Sequence, residues 1–173
     1  MADRITPAEL KFERLFDAPV DLVWRYIVDP ELRARWFMGG AIDPRPGGAI
    51  EMVMDHRNLS DGPSETPEKY RPFIGTRWTE RIIAIDPPRS IAFTWDEGKS
   101  GEVTIMLHAE GQRTRLVLHH TGLNGRDDAV NFGGGWLSHL AVLERRVAQA
   151  PVDDFWALHA AAEAAVADGL GAA

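Results

Sequence analysis

Between Ile50 and Thr121 apolar residues recur at every second position in short runs, and turn residues close each run. That period belongs to strands with one buried face. The runs are Ile50 to His56, Phe73 to Ile85, Ser90 to Trp95, Glu102 to Ala109 and Thr114 to Thr121. Pro46-Gly47-Gly48, Asp86-Pro87-Pro88, Asp96-Glu97-Gly98 and Glu110-Gly111 punctuate them. Links this short cannot carry a parallel crossover, so the strands are expected to be antiparallel neighbours. An earlier run, Leu10 to Phe16, places Leu10, Phe12, Arg14 and Phe16 on one face in the same way.

Beyond Leu123-Asn124-Gly125 the period changes. Phe132, Trp136, Leu140, Leu143 and Val147 recur at helical spacing, widened by Leu137 and Ala141, which predicts the longest helix of the chain. Gly133-Gly134-Gly135 is expected to lead into it. Pro151 breaks it, and Asp153-Asp154 can cap a last helix from Phe155 to about Ala167. Phe155, Trp156 and Leu158 are the side chains that this helix can bury, and the tail from Gly169 is expected to fray.

Between the first strand and the sheet, Val20, Val23, Trp24 and Ile27 mark a short helix with Pro19 in its first turn. Asp29-Pro30 ends it. Glu31 to Trp36 forms a second, turned back by Gly39-Gly40. Residues 58–72 (NLSDGPSETPEKYRP) are long, polar and proline-rich, which suits either a lid or a solvated insertion.

A chain of 173 residues with 45% hydrophobic and 26% charged residues fits one domain over residues 1–173, with 153–168 as a C-terminal helical extension. The net charge of -7, without any basic run, argues against a nucleic-acid partner and against acidic membranes. The absence of cysteine removes disulfides, thiolate metal sites and a cysteine nucleophile. No signal-peptide pattern and no apolar run of membrane-spanning length is present, so a cytoplasmic location is expected.

Four separated motifs carry a family resemblance. The run RLFDAPVDLVWRYIVDPELRARWF (Arg14 to Phe37) resembles the opening of the homologues of the activator of the heat-shock-protein-90 ATPase, within the SRPBCC (START-like) superfamily. That opening reads R-x-F-x-A-P-x-x-x-V-W, then D-P, then W-F. DPPRSIAFTW (Asp86 to Trp95), TRLVLHHTGL (Thr114 to Leu123) and GWLSHLAVLE (Gly135 to Glu144) are similar to the family's hairpin, strand and helix motifs. The resemblance implies an α+β helix-grip (START-like, Bet-v-1-like) fold. A curved antiparallel sheet would wrap a long C-terminal helix, with two short helices after the first strand and a pocket between sheet and long helix.

Alternation assigns the wall of that pocket. Ile50, Met52, Met54 and His56 share a face; so do Ile91, Phe93 and Trp95, then Val103, Ile105 and Leu107, then Leu116, Leu118 and His120. Trp136, Leu140 and Leu143 face them from the helix. Trp78 joins them conditionally, since one bulge in its strand reverses which residues point inward. The ligand-binding candidates are therefore Met52, Met54, His56, Trp78, Phe93, Trp95, Ile105, Leu118, His120, Trp136, Leu140 and Leu143.

His56 and His120 are the polar candidates, able to bind a ligand oxygen or to exchange a proton. The competing reading satisfies them with a backbone carbonyl or with Asp55 or Glu80. His139 reads as a packing or capping partner. No metal site is expected, because His119 and His120 point to opposite faces of their strand and no HExxH occurs. No catalytic residue or cofactor is assigned: no Gly-x-Ser-x-Gly elbow is present, and Ser60, Ser64, Ser90, Ser100 and Ser138 are read as loop or exposed residues.

Binding of a small hydrophobic molecule ranks first among the functions this reading allows. A co-chaperone-like interaction, implied by the family, ranks second, and an aromatase/cyclase-like or hydrolase enzyme third. A homodimer is compatible with the resemblance, since small START-like bacterial domains often pair.

Overall fold

The computed structural model describes residues 3–171. The ends of the expected domain, residues 1–2 and 172–173, lie outside the described residues. Seven strands form one antiparallel sheet: β1 (Arg4–Ile5), β2 (Glu9–Phe16), β3 (Ala49–Val53), β4 (Arg77–Asp86), β5 (Ser90–Thr94), β6 (Glu102–Glu110) and β7 (Arg113–Thr121). Their spatial order is β1-β2-β7-β6-β5-β4-β3, so β2 closes against β7 and the rest is a meander of sequential neighbours. Two short helices, α1 (Val20–Val28) and α2 (Pro30–Arg33), separate β2 from β3. The long α3 (Arg126–Val147) and then α4 (Phe155–Leu170) complete the α+β helix-grip arrangement, with the curved sheet around α3.

Short helices are closed by local chemistry. Pro19 stands at the N-cap of α1, just before its first turn, and the Asp29 carboxylate accepts from the backbone N–H of Glu31 and Leu32 to start α2 at Pro30. Arg33 then reaches back under the sheet edge. It is 2% exposed and donates to the carbonyls of Met38, Gly40 and Glu51, which ties the turn before β3 to β3 itself.

Several expected boundaries move. β3 ends at Val53, and His56 sits in a 3-10 turn (His56–Asn58) that the Asp55 side chain caps at the Arg57 N–H. β4 starts at Arg77, because a 3-10 segment over Glu68–Phe73, containing Pro72, and Gly75 at φ 79° fill the preceding stretch. A register shift between Ile82 and Ala84 is the bulge that the sequence left open. Glu80 and Ile82 are buried and Trp78 half-buried on the inner side, while Ile83 is exposed.

The three glycines lie inside α3 rather than ahead of it. A Cβ on Gly133 would stand 3.2 Å from a Val166 methyl, and one on Gly134 would stand 2.7 Å from Glu163 Cγ, so their small size lets α4 approach α3. α4 also runs on through Gly169 to Leu170, where fraying was expected. Its buried side chains are Phe155, Trp156, His159 and Val166, whereas Leu158 faces solvent. Ser138 is likewise buried within α3, not in a loop, and Ser100 is also buried.

Candidate functional site

The inner face of the sheet is filled along most of its length. Met52, Phe93, Ile105 and Leu118 meet Leu140 and Leu143 of α3, and each of the six is at most 3% exposed. These six candidates belong to the packed core, and none of them lines the cavity described next. His120 is also withdrawn from any ligand. Its Nδ1 accepts from the Trp136 indole at 3.1 Å, which fixes the proton on Nε2, and Nε2 donates to the Ser100 carbonyl at 2.8 Å.

Space opens instead at the end of the sheet, beside the packed α3 and α4. A cavity of about 560 Å³ lies there. The candidates that reach it are Met54, His56, Trp78, Trp95 and Trp136. They are joined by Phe37 and Met38 from the turn after α2, Phe132 and His139 from α3, Trp156 and His159 from α4, and Tyr70 and Phe73 from the long connection. Asp96 and Glu97 also line it.

Aromatic rings meet around this space in stacked, tilted and edge-to-face pairs. Phe37 stacks on Trp136 at 5.0 Å, Trp95 lies 5.2 Å from Trp136, and Phe132 meets Trp95 edge-on at 5.8 Å. On the opposite side Tyr70 stacks on Trp156 at 4.7 Å. Such offset and T-shaped pairs hold rings in fixed orientations and leave faces and edges toward the void.

One wall of the void is built on a buried carboxylate. Glu80 is 1% exposed; its Oε1 accepts from the Trp78 indole at 3.1 Å, and its Oε2 accepts from Thr94 Oγ1 at 2.6 Å and from the Glu97 N–H at 3.0 Å. Asp96 and Glu97 have φ of 51° and 56°, a left-handed conformation uncommon for residues other than glycine. Glu80 therefore orients the Trp78 ring and anchors the turn behind Trp95.

Three histidines occupy the α4 side. His56 and His139 meet edge to face at 4.8 Å, and Phe155 lies about 5 Å from both. Burial lowers the pKa of all three. His56 falls to about 4, helped by His159 and opposed by Asp55; His139 falls well below its ordinary value; His159 falls too, opposed by Glu163. All are neutral at physiological pH. His139 Nδ1 donates to the Trp36 carbonyl at 2.7 Å, which leaves Nε2 as the lone-pair nitrogen.

His159 belongs to a different network. Ser138 Oγ lies 2.9 Å from the carbonyls of Gly134 and Gly135, so its proton points there and its oxygen accepts from His159 Nδ1 at 3.1 Å. Nε2 of His159 faces the Tyr70 hydroxyl at 2.8 Å, and that hydroxyl is also 3.1 Å from Glu163 Oε1. Both nitrogens of His159 are thus engaged, one by the Ser138 oxygen and the other by the Tyr70 hydroxyl. Among the described residues no group of three or more His, Cys, Asp or Glu side chains is placed to hold a metal ion.

Sequence reasoning missed Phe37, Tyr70, Phe132, Trp156 and His159 as wall residues. Trp156 and His159 stand three apart on one helix face, a signal that was present but masked by the surrounding alanines. Tyr70 carried no periodic signal at all.

Residues 17–148 match the model of the family described as Activator of Hsp90 ATPase homolog 1-like protein. The chain belongs to this family. The solution structure of the protein encoded by gene BPP1335 of Bordetella parapertussis is similar to this chain at 32% identity and a TM-score of 0.82, covering 96% of this chain and 88% of the other. CalU16 of Micromonospora echinospora, as a crystal structure, shows 26% identity and a TM-score of 0.65 over 96% of this chain and 93% of its own. The Nitrosomonas europaea protein NE0264, at 21% identity and a TM-score of 0.61 over 82% and 95%, shares the fold. A search of curated proteins returned no match. The family match ends at residue 148, so the α4 wall of the cavity, with Trp156 and His159, lies beyond it.

Proposed function

We propose that the protein binds a small, largely apolar ligand in the cavity between the open end of the sheet, α3 and α4. The observation that carries this reading is the wall itself. Phe37, Trp78, Trp95, Phe132, Trp136 and Trp156 present rings to one space of about 560 Å³, a size suited to a small molecule. A chain that only needed a core would gain by filling that space, since each unfilled void forfeits dispersion contacts. Membership of a family with a ligand-binding fold supports the same reading.

The test is thermal unfolding of the whole chain against a panel of fatty acids, monocyclic and bicyclic aromatics and sterols. Stabilisation by one class that is lost in Trp156→Ala supports binding in this cavity; no stabilisation by any class contradicts it. Stimulation of a chaperone ATPase, which the family description suggests, is tested separately by measuring that ATPase with and without the protein.

A further inference from the structure

The polar groups inside the cavity restrict what the apolar ligand can carry, and this step rests on the binding reading above. Among the described residues lining the cavity there is no lysine or arginine; the charged side chains are Asp96 and Glu97. An anionic headgroup would therefore be buried without a counter-charge, beside two carboxylates. The buried polar side chains of the lining are His56, His139 and His159, and since both nitrogens of His159 already face Ser138 and Tyr70, the imidazoles of His56 and His139 remain.

Their tautomers follow from their surroundings. His139 Nδ1 is committed as a donor to Trp36, so Nε2 can only accept, and it has no partner among the described residues. His56 Nδ1 is buried and without a partner. A bare lone pair is cheaper to bury than an unmet N–H, which puts the His56 proton on Nε2. The pair thus offers one acceptor and one donor, on rings 4.8 Å apart.

We propose that the His56–His139 pair recognises a neutral hydroxyl on an aromatic ligand, which donates to His139 Nε2 and accepts from His56 Nε2–H. A hydroxyl satisfies both nitrogens with a single oxygen. An ether lacks the proton for His139, and a carboxylate lacks it too while adding an uncompensated charge. The depressed basicity of both imidazoles acts in the same direction, because neither becomes the cation that an acid would need.

Calorimetric titration of the full chain at pH 7.5 with 2-naphthol, 2-methoxynaphthalene and 2-naphthoate tests this without any variant. The expected order is 2-naphthol first, the methyl ether roughly tenfold weaker, and the carboxylate weaker again. Naphthoate or the methyl ether binding as tightly as 2-naphthol overturns the hydroxyl proposal and leaves the cavity reading standing. No heat from any of the three, together with no stabilisation across the wider panel, overturns the cavity reading and this proposal with it. In His139→Phe, 2-naphthol and its methyl ether should bind within about twofold of each other. Retention of the tenfold preference in folded His139→Phe would also count against the proposal.

Discussion

Tyr70 lies flat on Trp156, ring centroids 4.7 Å apart and planes 18° from parallel, while its hydroxyl sits 2.8 Å from Nε2 of His159 one helical turn further along α4. The long connection is thereby fastened across one side of the cavity. Asp61 and Ser60 fasten its other end, through the Asp61 N–H to the Val152 carbonyl and the Phe155 N–H to Ser60 Oγ. We infer that residues 58–72 act as a closed lid.

Loosening that contact should be visible by proteolysis. Tyr70→Phe keeps the stack and removes the hydroxyl, and is expected to cost about 1 kcal/mol. Tyr70→Ala removes both, at about 2 kcal/mol, and should make residues 58–73 the first site of limited proteolysis. Equal protease resistance of Tyr70→Ala and the native chain would contradict the lid assignment.

Acid should weaken the fold before most carboxylates titrate. His56 is held neutral down to about 4 in the folded chain, against an ordinary 6.5. Between those values the unfolded chain binds the proton and the folded chain does not, so stability falls as pH falls through this window. The loss from His56 alone is on the order of 3 kcal/mol, and His139 and His159 shift in the same direction. Urea unfolding at pH 7.5, 6, 5 and 4 should show a steady decline, shallower in His56→Phe; a flat profile in the native chain would refute it.

Adjacent glycines of α3 should respond with opposite signs. An added Cβ at Gly134 meets Glu163 Cγ at 2.7 Å and the α4 backbone at 3.0 Å, so Gly134→Ala should destabilise by about 1–3 kcal/mol. At Gly135 no atom lies within 4 Å of the added Cβ, and helix propensity favours Gly135→Ala by up to about 1 kcal/mol. Chemical denaturation of the pair checks both signs.

Removing the Glu80 carboxylate should disturb the cavity from behind. Glu80→Ala strands the Trp78 indole, the Thr94 hydroxyl and the Glu97 N–H, which costs about 3 kcal/mol and frees the turn at Asp96 and Glu97. Near-ultraviolet circular dichroism should lose part of its tryptophan signal in the variant, at a temperature where it is still folded.

Legibility in the sequence followed the range of the forces involved. Alternation and helical spacing are local, so β2, β5, β6 and β7 could be read to within a residue, and so could the end of α3, while its start at Arg126 lay hidden behind the glycines. The cavity is a difference between filled and unfilled space, and alternation cannot tell Phe93, which meets core, from Trp95, which meets the void two positions on. Nor could it show that His120 spends both nitrogens on Trp136 and Ser100, since those partners arrive from distant elements. The α4 wall was missed because alanine-rich helices give a weak apolar stripe, although Gly133 and Gly134 already marked the surface of α3 that a second helix could approach.

The six tryptophans provide the most direct measurement of where a ligand sits. In a ¹⁵N–¹H spectrum each indole N–H gives one signal, and Trp78, Trp95, Trp136 and Trp156 line the cavity while Trp24, on α1, does not. Titration with 2-naphthol is predicted to shift those four saturably and to leave Trp24 in place. Movement of Trp24 with the four cavity signals unchanged, or no saturable shift in any of them, would contradict the account.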